Sequence, residues 1–160
     1  DMKQRHMPAD KDVDGINPDG SNYTAPVALA VLEILKRGDV ELEGVRAVVI
    51  GAGRLGGAPV TRELERRGAQ VTVLTQESAS LDALKSAEVI VSGAGKPAMI
   101  TPDLISEGGV LIDAGTSESG GKVRGDADPA CAEKCAVFTP VPGGVGPIAV
   151  AMIFKNLLQK

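Results

Sequence analysis

One stretch constrains this chain more than any other. Arg46-Ala-Val-Val-Ile50 runs directly into Gly51-Ala-Gly53-Arg-Leu-Gly56, and after an intervening segment Gln70-Val-Thr-Val-Leu-Thr75 follows. The first run is β-branched and apolar without interruption, which predicts a buried strand. The glycines then predict a tight turn, Pro59 to Arg67 a helix closed by Gly68, and Gln70 to Thr75 a second strand. A strand, helix and strand this close in sequence must pair in parallel through a right-handed crossover.

The same rhythm extends in both directions. A helix is expected from Thr24 to Arg37, with Thr24 as its cap, Pro26 near its start and Val27, Val31, Ile34 and Leu35 as its apolar stripe. After the βαβ unit come a short helix over Ser80 to Ser86, a strand over Glu88 to Ser92 and a helical turn over Pro102 to Ser106. A strand over Val110 to Asp113 and a small extra strand at Val123 to Arg124 follow. A helix over Pro129 to Cys135, a strand over Val137 to Thr139 and a closing helix over Ile148 to Leu158 complete the series. Alternation of this kind predicts an α/β fold, a doubly wound parallel sheet of the Rossmann type in three layers.

Composition agrees. The 160 residues are 43% hydrophobic yet include only two Phe, one Tyr and no Trp, so Ala, Val, Ile and Leu must build the core. The 20 Gly and 10 Pro fall in short clusters between apolar runs and read as turns. The net charge is −4 and the basic residues are scattered, which argues against a nucleic-acid surface. No apolar run reaches the roughly 20 residues of a membrane span. No signal peptide is visible at the polar start, so the expected compartment is the cytoplasm. Cys131 and Cys135 have no second cysteine pair beside them; zinc or a disulfide is one reading, two idle thiols the other. No metal site is expected.

Gly51 to Gly56 fits G-x-G-x-x-G between a predicted strand and a predicted helix, the context in which that pattern binds a dinucleotide. Gly51 would allow the tight turn, Gly53 the approach of a pyrophosphate, and Gly56 close packing of helix on strand. Arg54 and Leu55 complete the turn, and a turn that binds nothing is the bland alternative. Thr75, Gln76 and Glu77 stand where the second strand ends. A carboxylate there accepts from the ribose hydroxyls of NAD and repels the extra phosphate of NADP. Glu77 could equally be a solvated loop charge, and Arg54 keeps NADP open. The reading leans to NAD.

Further strings point one way: Lys11-Asp-Val-Asp14-Gly15, Gly95-Lys96-Pro97, Asp113-Ala114-Gly115, Gly125-Asp126-Ala127-Asp128 and Pro140-Val-Pro-Gly-Gly-Val-Gly-Pro147. In this order, from about Asp10 to the end, the chain resembles the bifunctional methylenetetrahydrofolate dehydrogenase/methenyltetrahydrofolate cyclohydrolase family. The resemblance implies oxidation of methylenetetrahydrofolate by a nicotinamide dinucleotide, then hydrolysis of the methenyl product to formyltetrahydrofolate. It gives Asp14 a contact with the folate pterin, and Pro142, Gly143, Gly144 and Val145 the cleft between folate and nicotinamide. Asp14 as an ordinary Asp–Gly turn, and the proline–glycine string as a rigid connector, are the alternatives. Nucleotide contacts would fall on Gly51, Ala52, Gly53, Gln76 and Thr116.

The departures also carry information. The family usually has Gly-Arg-Ser where Gly51-Ala52-Gly53 stands, and His-Ser with a basic residue where Thr75, Gln76 and Glu77 stand. The lost groups suit a 2′-phosphate, which again favours NAD. The family's proton-handling Tyr-x-x-x-Lys pair has no counterpart, because four residues beyond the only tyrosine, Tyr23, stands Val27. No catalytic residue is therefore expected in this chain, and the only histidine, His6, lies in an unpatterned start.

The resulting domain expectation is a tail and KDVDG loop over 1–22, then a helix over 23–38 that packs on an absent catalytic domain. A dinucleotide-binding domain follows over 39–147, and a terminal helix over 148–160 returns toward that absent domain. Apolar faces on the two flanking helices predict exposed patches and a homodimer. A binding module without turnover, and a different dehydrogenase of the same fold, are the competing functions.

Overall fold

The computed structural model describes residues 8–17, 20–75, 78 and 80–159. His6 and the rest of the first seven residues, Gln76 and Glu77 lie outside them.

Five parallel strands form the main sheet: β1 (Arg46–Ile50), β2 (Gln70–Leu74), β3 (Val89–Ser92), β4 (Val110–Asp113) and β7 (Val137–Phe138), in the order β2-β1-β3-β4-β7. β5 (Ser117–Ser119) and β6 (Lys122–Arg124) make a separate antiparallel hairpin, where the sequence predicted only the second of the two. Among the described residues the three α-helices are α1 (Pro26–Arg37), α2 (Gly57–Glu65) and α3 (Val145–Leu158).

Side-chain alternation divides the interior into two cores. Ala47 and Val49, Val89 and Val91, and Val110 and Ile112 face one side, where Val31, Leu35, Val60, Leu64 and Val145 of the three helices cover them. Val48, Ile50, Ile90 and Leu111 face the other, against Leu84, Ile105 and Cys131. Valine and isoleucine recur because their branched side chains fill a sheet buried on both faces.

The second face is where the sequence reading needs correction. The segments expected as helices there are 3₁₀ turns, Asp82–Ser86, Pro102–Leu104 and Pro129–Glu133. Each is too short to close several α-helical hydrogen bonds, so the tighter turn prevails. Cys135 accordingly lies beyond the turn that holds Cys131. Burial pushes the Cys131 thiol up to about 11 and raises that of Cys135, which leaves both protonated near neutrality. Among the described residues no group of acidic, histidine and cysteine side chains could hold a metal ion, and no helix is long and apolar enough to cross a membrane.

Helix boundaries also shift. Ala25, not Thr24, precedes α1, and no side chain caps it. The apolar stripe of α1 is buried within this chain: Val31, Ile34 and Leu35 lie in the first core. α3 packs along α1 and begins at Val145, three residues before the expected start. Its other side remains open, with Val150, Phe154 and Leu158 at 53%, 61% and 86% exposure.

Asn156 of α3 anchors the N-terminal loop. It is buried, and its Nδ2 donates to the Val13 carbonyl at 2.8 Å and to the Thr24 carbonyl at 3.0 Å. Asn156→Ala would leave two carbonyls without that donor, and chemical denaturation should show a loss of about 1–3 kcal/mol. Limited proteolysis should then cut first within the loop before α1; unchanged stability and cleavage would contradict this anchoring role.

Candidate functional site

In an open α/β sheet a ligand binds beyond the carboxyl ends of the strands, where successive connections leave in opposite directions. Here that point lies between β1 and β3, since β2 sits on one side of β1 and β3 on the other. The glycine turn between β1 and α2 occupies it.

Gly51 has φ +94°, and a Cβ there would stand 2.8 Å from the Gly93 carbonyl, so glycine is required both by conformation and by the neighbouring strand end. Around Gly53 nothing lies within 4 Å of a built Cβ, which leaves the backbone open to a ligand. The third glycine of the motif is the one the sequence reading misplaced. Gly56 meets nothing, whereas a Cβ on Gly57 would fall 1.7 Å from the Gly51 carbonyl. Gly57 is thus the residue that lets α2 close onto the turn, because it begins the helix and Gly56 only precedes it. Ala58 donates back to the Gly53 carbonyl at 3.0 Å, and α2 begins directly after the turn, so the positive end of its dipole lies there. An anionic group is suited to this cradle.

A cleft of about 760 Å³ opens beside the turn, lined by Ile50, Gly51, Ala52, Gly53, Thr75 and Ser78 together with Leu81, Gly93, Lys96 and Met99. A second, smaller cavity of about 360 Å³ adjoins Gly53, Arg54, Leu55, Gly56 and Gly57 and reaches Ser92 and Ala114. Arg54 and Leu55 are exposed, and Arg54 also borders a groove against Gly15 and Asn17. The structure therefore gathers Gly51, Ala52, Gly53, Arg54, Leu55 and Gly56 at one rim. Thr116 is exposed beyond β4, its carbonyl 3.6 Å from a Cβ built on Gly95, and does not line the larger cleft.

Two buried carboxylates hold this rim in place. Asp126 Oδ2 accepts from the Ser92 hydroxyl at 2.6 Å and the Ala94 amide at 2.7 Å, and its Oδ1 from the Lys96 amide at 2.7 Å. Asp113 accepts from the Gly115 amide at 2.9 Å and the Ala127 amide at 2.8 Å. The two loops interlock: a Cβ on Gly115 would lie 2.2 Å from Asp126, and one on Gly125 would lie 2.1 Å from Asp113. Burial raises the Asp113 carboxyl above the usual carboxylate range, opposed by the amide bonds it accepts and reinforced by the neighbouring Asp126 charge. Sequence reasoning flagged both aspartates only as parts of the family strings; the signal for their role was a glycine close to each, Gly115 two residues after Asp113 and Gly125 directly before Asp126.

The KDVDG loop separates its aspartates by environment. Asp12 is buried and accepts from the Asn17 amide at 2.7 Å, whereas Asp14 is exposed. Gly15 turns at φ +63°, and a Cβ there would meet the Tyr23 carbonyl at 2.7 Å. The loop at Pro142 also needs correction. Gly143 is open with φ +104°, but the Gly144 amide donates to the Pro140 carbonyl at 2.8 Å and Val145 is buried at the start of α3. Only the first of the two glycines presents a free face; Gly144 is small so that Thr139 and Pro140 can pack against it.

Residues 25–160 match the family model for the tetrahydrofolate dehydrogenase/cyclohydrolase NAD(P)-binding domain. The bifunctional protein FolD of Staphylococcus aureus (strain bovine RF122 / ET3-1) is 43% identical over 160 residues, covering 93% of this chain and 56% of that protein. The bifunctional FolD methylenetetrahydrofolate dehydrogenase/cyclohydrolase of Campylobacter jejuni superposes with a TM-score of 0.94 at 32% identity, over 99% of this chain and 60% of that one. The Trypanosoma brucei enzyme, solved with NADP cofactor and an inhibitor, gives a TM-score of 0.91 at 31% identity, over 98% and 60%. The chain thus spans little more than half the length of the curated relatives it matches.

Two measurements test the site's construction. Gly57→Ala should cost about 3 kcal/mol or more in thermal unfolding, since backbone must move; Gly56→Ala should cost less than about 1 kcal/mol. Equal costs would mean that Gly57 is not the packing glycine. For Asp113, the folded protein holds a proton to higher pH than the unfolded chain does. The resulting stability is full below the ordinary carboxylate pKa and is lost as pH rises through the raised one. Melts across the mildly acidic range should show this decline in the native chain and a flatter profile in Asp113→Asn.

Proposed function

Because this chain belongs to the tetrahydrofolate dehydrogenase/cyclohydrolase family and carries its NAD(P)-binding domain, we propose that it is the cofactor-holding half of a methylenetetrahydrofolate dehydrogenase/methenyltetrahydrofolate cyclohydrolase. The observation that carries the proposal is the Gly51–Gly57 cradle at the β1/β3 switch point, where a Cβ is excluded at Gly51 and Gly57 and space remains at Gly53.

When bound, the nicotinamide accepts the hydride that the methylene carbon of the folate gives up. This chain's own residues bind and orient. The Gly53 backbone and the start of α2 receive the pyrophosphate, and the larger cleft, with Leu81 and Met99 as apolar walls, takes the adenosine half. Asp14 and the open Gly143 are the residues proposed for the folate side, both exposed on loops. Proton handling in the cyclohydrolase step falls to the Tyr–Lys pair that the family resemblance implies and that these residues do not contain.

NAD is the preferred cofactor in this reading. Support comes from Ala52 and Gly53 standing where the family usually has Arg and Ser, and from Glu77, which follows the last residue of β2 by three positions in the sequence. A homodimer in the cytoplasm completes the proposal; the exposed Val150, Phe154 and Leu158 on α3 suit burial against further protein.

Titration of NADH and NADPH against the chain, followed by nicotinamide fluorescence, tests the reading. Both should bind, with NADH tighter by roughly tenfold, which corresponds to about 1.4 kcal/mol. Absence of binding by either overturns the cofactor assignment, and tighter NADPH binding overturns the preference.

A further inference from the structure

The loop after β3 has features that its connecting role does not require. Gly95 and Ala98 both sit in the left-handed region, with φ of +67° and +52°. The second is a strained conformation for alanine, of a kind that persists only where surrounding structure imposes it and that gathers at ligand sites. Asp126 imposes it here: it accepts from the Ala94 and Lys96 amides, while Ala98 donates to the Gly125 carbonyl at 3.3 Å. Between these two left-handed positions stands Lys96.

Lys96 is the one charged residue lining the larger cleft among the described residues, and its ammonium makes no hydrogen bond or ion pair there. Its backbone is fixed by a buried carboxylate while its side chain is exposed. A cation presented on a rigid, strained loop at the mouth of a cleft favours an anion within it, and the dinucleotide's anionic groups are its phosphates.

We infer that the Lys96 ammonium is the charge partner of a phosphate of the bound dinucleotide, and so a cofactor-positioning residue. The inference rests on the cofactor reading above. Two phosphates share this chemistry: the pyrophosphate common to both cofactors, and the 2′-phosphate of NADP alone.

Binding of 5′-ADP, 2′,5′-ADP, NADH and NADPH to the native chain, Lys96→Gln and Lys96→Arg separates the possibilities. Lys96→Gln should weaken binding roughly tenfold, as loss of a charge-assisted bond does. The loss should shrink as salt rises, and Lys96→Arg should restore most of it. A loss shared by 5′-ADP, NADH and NADPH assigns the pyrophosphate, which 2′,5′-ADP, with its single 5′-phosphate, does not carry. A loss confined to 2′,5′-ADP and NADPH assigns the 2′-phosphate. Unchanged binding of every ligand by Lys96→Gln, while the native chain binds, overturns the inference and leaves the cofactor reading intact. If the native chain binds none of the four, it is the cofactor reading that fails, and this inference with it.

Discussion

The paired burial of Asp113 and Asp126 is the constraint on which the rim of this sheet depends. A carboxylate removed from water is costly unless its oxygens are fully engaged, and here amide and hydroxyl donors from several segments supply that engagement. The donors come from the ends of β3 and β4 and from the strand-like segment after the hairpin. Satisfying two side chains therefore fixes the relative positions of three loops. Gly115 and Gly125 are the steric counterpart, because each lies where a Cβ would strike the opposite carboxylate. Loop conformation at the site is thus a consequence of charge burial.

Those loops define the working end of the molecule. The β2-β1-β3 order opens a crevice at the switch point, and the glycine turn occupies it from the side of the three α-helices. The larger cleft is walled by Leu81 and Met99, which pack against the core on the other face. A dinucleotide lying across the crevice would touch both layers, so its site exists only after both faces of the sheet are covered. The strained turn that carries Lys96 belongs to the same arrangement, since Asp126 holds it from below.

Much of the architecture was legible in the residues. The β-branched runs beginning at Arg46, Glu88 and Val110 lie in the sheet to within a residue, because a strand buried on both faces leaves an uninterrupted apolar signature. The glycine turn was legible for a similar reason: few sequences tolerate such backbone freedom between a strand and a helix. Less legible were the connections on the second face. Asp82–Ser86 and Pro129–Glu133 contain helix-compatible residues, but each spans five residues, too few to close several α-helical hydrogen bonds, and forms a 3₁₀ turn. Local propensity carries no information about where the folded chain cuts such a segment short.

Sequence alone determined the periodicity of the strands, the glycine turn and the family strings, because each depends on residues that are neighbours along the chain. The tertiary structure decided which glycine carries the packing constraint: Gly57 rather than Gly56 faces the Gly51 carbonyl once α2 folds back on its own turn. It also separated the buried Asp12 from the exposed Asp14, and the engaged Gly144 from the open Gly143. It brought Asp126 to the end of β3, across 34 residues from Ser92. Steric exclusion and the satisfaction of buried charge act between residues distant in sequence, and only a folded chain gives them partners.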